Sequence, residues 1–152
     1  MNGRIVPAGV NFAGVISALH GACFEQCWSE KSVRDILAMP GATGLIIRSD
    51  KDTPVGFMLF RQAADEAEII SIGVVPSSRR TGYAGHLLNA AIQHALYGNA
   101  ARMFLEVAED NSAAIPFYEK AGFTISGRRP AYYHRTTGKT DALIYVLEII
   151  DK

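Results

Sequence analysis

Residues Gly73–Leu96 read "GVVPSSRRTGYAGHLLNAAIQHAL". The apolar run ends at Pro76, and a short polar link with two arginines and two glycines follows. Helical periodicity then begins at once: Leu87, Leu88, Ala91, Ile92, Ala95 and Leu96 fall on one face of an amphipathic helix. Before the link, "AEIISIGVV" from Ala67 reads as a strand. After the helix, "ARMFLEVA" from Ala101 reads as another. Two strands joined through a helix imply a right-handed crossover to a parallel neighbour. That passage, Ala67 to Val107, decides the class.

Outward from it the chain alternates in kind. "NFAGVISALHGACF" and "SEKSVRDILAM" carry apolar residues at helical spacing, with Ser29 as the cap of the second and Pro40-Gly41 as its stop. "GLIIRSD" and "PVGFMLFRQ" are strands that join "AEIISIGVV" in an antiparallel meander, through turns at Asp50–Pro54 and "AADEAE". Downstream, "SAAIPFYEKAG" reads as a helix closed by Gly122. Pro116 inside it removes a backbone donor and is expected to bend it. "FTISGRR" and "DALIYVLEI" are the closing strands. The expectation is one α/β domain over residues 1–152, its mixed, mostly antiparallel sheet covered by helices on both faces.

Composition narrows the function. With 152 residues, 49% hydrophobic and 20% charged, the chain suits one globular core. Fifteen basic residues balance fifteen acidic ones, so no overall field favours nucleic acid, and phosphate recognition must be local. The start lacks a basic head joined to a long apolar run, and no apolar stretch is long enough to span a membrane, so the expected home is the cytoplasm. Cys23 and Cys27 are too few for a zinc site and read as reduced, partly buried thiols. His20, His86, His94 and His134 are scattered without metal-ligand spacing, so no metal is expected.

The joint itself suggests a ligand. A helix start offers unpaired N–H groups and a partial positive charge, which together bind phosphate. Gly82, Ala84 and Gly85 let an anion approach the backbone, and Arg79 and Arg80 add charge. Neither a Gly-Lys-Ser/Thr ending nor Gly-x-Gly-x-x-Gly is present, which disfavours a nucleotide-hydrolysis or a dinucleotide loop.

Arg79-Arg80-Thr81-Gly82-Tyr83-Ala84 after a strand resembles the Arg/Gln-x-x-Gly-x-Gly/Ala signature of the GCN5-related N-acetyltransferases (GNAT). "LEVAEDNSAAIPFYEKAGF" resembles that family's second block. "CFEQCWSEK" and the tail "RRPAYYHRTTGKTDALIYVLEI" are similar to its ribosomal-protein-alanine branch, the RimI type. One departure is Ala108, where many members carry a basic residue after "LEV". The resemblance implies the acyl-CoA N-acyltransferase fold and acetyl transfer from acetyl-CoA to an N-terminal α-amine. The implied partner is the N-terminal segment of a protein, a small-subunit ribosomal protein that begins with alanine.

It also implies roles. Arg79, Arg80, Thr81, Gly82, Tyr83, Ala84 and Gly85 would cradle the CoA pyrophosphate, and Ile72, Gly73 and Val74 would pair with the pantetheine amides. An N–H near Val74 would steady the developing oxyanion. Asn111 would touch the pantetheine arm or cap its helix. Glu106, on the same strand face as Phe104 and Ala108, is the expected base, directly or through water, with Glu109 as the reserve. Tyr118 is the expected acid toward the CoA sulfur. Trp28, Tyr132 and Tyr133 are candidates for the peptide side, with Glu25 as a point of charge attraction. The rival readings are acetyl transfer to lysine or to a small amine, and a catalytically silent acyl-CoA-binding module.

Overall fold

In the computed structural model, which describes residues 3–135 and 138–149, the elements run β1 (Arg4–Pro7), α1 (Ala13–Cys23), α2 (Glu30–Leu37), β2 (Ala42–Arg48), β3 (Pro54–Ala63) and β4 (Glu66–Val74). They continue with α3 (Tyr83–Tyr97), β5 (Arg102–Ala108), α4 (Ala114–Lys120), β6 (Thr124–Arg135) and β7 (Gly138–Glu148). The strands form one seven-stranded sheet in the order β1-β2-β3-β4-β5-β7-β6. Every pairing is antiparallel except β4 with β5. The helical crossover between those two strands is the passage from which the class was read.

The central strands carry apolar side chains on both faces, which is why "VGFMLF" shows no alternation. Phe57 and Leu59 face α1 and α2 with Ile16, Leu19 and Val33, whereas Met58 and Phe60 face α3 with Leu87, Leu88 and Ala91. Leu96, expected on the buried face of α3, is 40% exposed in the last turn of that helix. Ser29 caps α2 as expected, its Oγ accepting the Ser32 N–H at 3.1 Å; such a cap contributes about 1 kcal/mol. Among the described residues no helix is long and apolar enough to cross a membrane.

Two expectations change. Residues Arg4–Pro7 form an edge strand that periodicity did not reveal, because four residues alternate too briefly to show a pattern. Pro116 does not interrupt α4. The helix begins at Ala114, so Pro116 falls in the first turn, where a proline is tolerated.

The opening in the sheet comes from elsewhere. β4 and β5 pair only through Glu66–Arg102, Ala67–Met103 and Glu68–Phe104, although both strands run on. Just past that point Ile70 is an extra residue on β4: Leu59 pairs with Ser71 and Phe60 with Ile69. A bulge bends and twists the strand that carries it. It also resets which residues face which layer, so Ile69 packs on the α3 side, Ile70 on the α1 side, and Ile72 and Val74 on the α3 side again. Beyond the bulge the two strands part.

Candidate active site

The cradle lies at the far end of β4. Arg80 (φ 62°) and Gly82 (φ 89°) both adopt the left-handed region, which turns the chain sharply into α3. The first α3 hydrogen bond runs from His86 N–H to Gly82 O, so the amides of Tyr83, Ala84 and Gly85 are the first-turn donors without a helical acceptor. Unlike α2, this helix has no side-chain cap. A Cβ built on Gly85 would meet nothing within 4 Å, so there is open space ahead of the donors. The cavity there is about 210 Å³, lined by Val74, residues 78–80 and 82–85, and Phe117 of α4. Tyr83 is buried in the core and also borders the cavity. A phosphate group fits this donor set.

Two predicted cradle residues also have internal duties. Arg79 Nε donates to Val74 O at 2.8 Å, and its guanidinium lies against the Cys23 thiol. Burial pushes that thiol up, with Arg79 opposing the shift. Thr81 Oγ1 donates to Ser78 O at 2.6 Å and braces the loop. Gly73 has no room for a side chain, since a Cβ would lie 2.9 Å from Cys23 Sγ and from Phe57 Cε1. Val75 N–H donates to Val55 O on β3. Strand alternation therefore turns the N–H groups of Val74 and Ile72 to the opposite edge, where β5 has departed.

Across the opening stands Glu106. The strand pattern placed it on the face with Phe104, and those two are half-buried while Met103, Leu105 and Val107 are buried on the other face. Its Oε2 is 3.1 Å from Arg129 Nη2, whereas its Oε1 is buried and has no hydrogen-bond partner among the described residues. Glu106 borders a second cavity of about 350 Å³ on its face of the sheet, with Glu66, Glu68, Arg61 and Arg129. The reserve base Glu109 is instead held by Arg128 at 2.7 Å.

Tyr118 of α4 is 7% exposed, and its ring packs edge-on against Phe117 and Phe123. Burial raises its phenol to about 12, with Tyr133 adding electrostatically, so the hydroxyl keeps its proton throughout the neutral range. Asn111 Oδ1 accepts the N–H of Ala114, the first residue of α4, at 3.0 Å, so its side chain is engaged just ahead of that helix. Tyr145 Oη donates to Glu119 Oε2 at 3.0 Å and ties α4 to β7.

Tyr132 and Tyr133 sit in a second irregularity. Pairing of β6 with β7 jumps from Arg129–Ala142 to Tyr133–Thr140. Ala131 (φ 54°) donates its N–H to Asp141 Oδ1 at 2.7 Å, and Arg128 binds Oδ2 of the same carboxylate at 2.7 Å. These contacts, the backbone N–H foremost, hold Asp141 below the usual carboxylate range. The pinned segment sets the two tyrosine rings edge to face at 5.1 Å. The Thr136-Thr137 part of the expected turn lies outside the described residues.

Trp28 belongs to a different cluster. It stacks on His20 at 4.4 Å, and its backbone N–H donates to His20 Nδ1 at 3.1 Å. His20 is 3% exposed, and burial lowers its pKa. The structure thus gives Trp28 a packing role on the α1 side, in the loop that also carries exposed Glu25. Sequence reasoning missed His20, Phe117 and Arg129. For His20 the available signal was its place at helical spacing from Ile16, on the apolar face of α1.

The fold and site define a class: the chain belongs to the acetyltransferase (GNAT) family, whose model matches residues 15–123. Among particular relatives, the [ribosomal protein bS18]-alanine N-acetyltransferase of Escherichia coli K12 is 37% identical over 93 residues. That stretch is 61% of this chain and 63% of the relative, so the chain matches less than two thirds of that relative's length. The Salmonella typhimurium protein of the same name is 32% identical over 123 residues, 80% of this chain and 81% of that one. The crystal structure of the E. coli ribosomal-protein-S18-alanine N-acetyltransferase superposes with a TM-score of 0.91 at 26% identity, covering 99% of this chain and 96% of that one.

Proposed function

We propose that residues 1–152 act as one acetyltransferase domain that moves the acetyl group of acetyl-CoA to the N-terminal α-amine of a protein. The names of its relatives point to the N-terminal alanine of a small-subunit ribosomal protein as the acceptor. The observation that carries this reading is the parting of β4 from β5. It sets a strand edge with outward N–H groups and an uncapped helix start on one side. On the other side is a carboxylate with one buried, unpartnered oxygen.

Acetyl-CoA supplies an activated acyl thioester when bound. The amides of Tyr83, Ala84 and Gly85 hold its pyrophosphate, with Arg80, on the same loop, adding charge. The edge Ile72–Val74 pairs with the pantetheine amides in the manner of an added strand, and Asn111 stands near that arm. The Val74 N–H donates to the acyl oxygen as negative charge builds there.

Glu106 Oε1 accepts the proton of the attacking amine, directly or through one water, since it is the oxygen that Arg129 leaves open. Tyr118 donates to the departing sulfur. A phenol at about 12 is a weaker acid than a free thiol at about 8.5. Tyr118 therefore acts first as a hydrogen-bond donor, and the proton passes only as charge accumulates on a sulfur buried in the same low-dielectric wall. Tyr132 and Tyr133 line the acceptor's approach.

The test is incubation with acetyl-CoA and an alanine-initiated peptide, followed by mass analysis. A gain of one acetyl group on the α-amine supports the reading. Acetylation only of a blocked peptide's lysine replaces it with the lysine alternative, and binding without turnover with the silent module.

A further inference from the structure

Arg129 reaches Glu106 because the sheet leaves it a path. Glu106 pairs with Ile144 on β7, which pairs with Gly127 on β6; the neighbouring row on the same face is Ala108, Ala142 and Arg129. Gly127 has no side chain, and the two alanines present only methyl groups. The arginine lies along this low row until Nη2 stands 3.1 Å from Glu106 Oε2. Its guanidinium carbon is also 5.3 Å from the centre of the Tyr132 ring, a second favourable contact for the cation. Arg128, one residue earlier, points the opposite way to Glu109 and Asp141. Only one of the two neighbouring arginines attends the base.

The base is therefore half of an ion pair rather than a lone anion. The other charged groups lining the same cavity are Arg61, Glu66 and Glu68. Arg61 Nε is bound to Pro40 O, and Glu66 is drawn to Arg102 at 3.6 Å. A lone carboxylate in a partly dry wall would draw in an ammonium ion and then deprotonate it. A cation already seated on that carboxylate cancels much of the attraction, and an amine that arrives neutral is spared the repulsion. At pH 7 about a tenth of α-amines are neutral, given a pKa of about 7.7–8.0. For lysine, at about 10.4, the neutral share is below about one in a thousand.

We propose that Arg129 is a specificity-determining residue: it sets the preference for N-terminal α-amines over lysine ε-amines by denying Glu106 to a charged acceptor. This rests on the α-amine reading above. The test compares wild type with Arg129→Met and Arg129→Lys on two peptides. One has a free N-terminal alanine and no lysine. The other has a blocked N-terminus and one lysine.

In Arg129→Met the ratio of kcat/KM for the α-amine to that for lysine should fall at least about tenfold, mostly through a lower KM for the lysine peptide. The KM for acetyl-CoA should not move. Arg129→Lys, which keeps the charge, should retain most of the wild-type ratio. A merely structural role would depress both peptides together, and an unchanged ratio in Arg129→Met overturns the proposal, as does an Arg129→Lys variant that behaves like Arg129→Met. Arg129→Gln gives the same comparison should the Met variant fail to fold. Failure of the α-amine reading shows in the wild-type arm, as a preference for lysine, before any variant is compared.

Discussion

The two sides of the cleft are made of different material. The β4 side is backbone: three first-turn amides, a strand edge and two left-handed residues. The β5 side is side chains, gathered from three elements: Glu106 on β5, Tyr118 on α4 and Arg129 with Tyr132 and Tyr133 on β6. A backbone site fails when conformation fails and tolerates changes of side chain. A side-chain site fails when a single functional group is lost, even if the fold survives. Substitutions on the two sides should therefore separate binding from turnover.

The largest effect is expected on the side-chain half. Tyr118→Phe removes one hydroxyl from a packed ring, so acetyl-CoA affinity should hold while kcat falls by roughly 10²–10⁴-fold. Glu106→Gln on the same α-amine peptide should lose less as pH rises through about 8, because more of the acceptor then arrives neutral. A pH–rate profile of both variants checks this. A Tyr118→Phe enzyme with normal kcat and rate-limiting chemistry would remove the hydroxyl from the mechanism.

On the backbone half, Gly82→Val forces a β-branched residue toward φ 89°, and such a residue is a severe outlier there. Acetyl-CoA affinity should drop about a hundredfold by calorimetry, with thermal unfolding as the control for folding. Arg79→Ala should cost several-fold at most, because Arg79 Nε is bonded to Val74 O and its guanidinium is also engaged by the Cys23 thiol. Reversal of that order would make the cradle a charge site instead of an amide site.

This division also explains what could be read from the sequence. Glycines and small residues at a strand–helix joint are a local signal, so the tight turn into α3 was legible along with the meander and the crossover. The opening itself was not, because the bulge at Ile70 exists only relative to the register of β3. Arg129 was missed for the same reason. Its path depends on Ala142 and Gly127 lying beside Ala108 and Ile144, and a single chain read in order does not show which residues share a row. Pro116 misled because its meaning turns on where the helix starts, and end positions are the least certain part of a periodic pattern.

A smaller effect tests how the acceptor wall is held. Asp141 carries the Ala131 N–H and Arg128, so Asp141→Ala frees the segment bearing Tyr132 and Tyr133 without touching either ring. The peptide KM should rise several-fold and the acetyl-CoA KM should stay constant, matching Tyr133→Ala in kind. An equal rise in both would mean that the segment supports the whole sheet rather than one side of the cleft.

The smallest effect concerns stability, at the loop opposite that wall. His20 Nδ1 accepts the Trp28 N–H, which requires an unprotonated nitrogen, and burial lowers its pKa below the 6.5 of a free histidine. The unfolded chain therefore takes up a proton first as pH falls through 6.5, and the folded state loses stability down to its own lower value. His20→Asn offers an oxygen to the same N–H but does not titrate. The variant should melt a few degrees below wild type at pH 8, since it loses the stacking with Trp28 and Phe24. That gap should narrow between pH 7 and pH 5, because only the wild type carries the acid penalty; His86, His94 and His134 are common to both chains and cancel. A gap that stays constant with pH would mean that His20 accepts its proton without releasing Trp28, and the loop would then be held by ring packing alone.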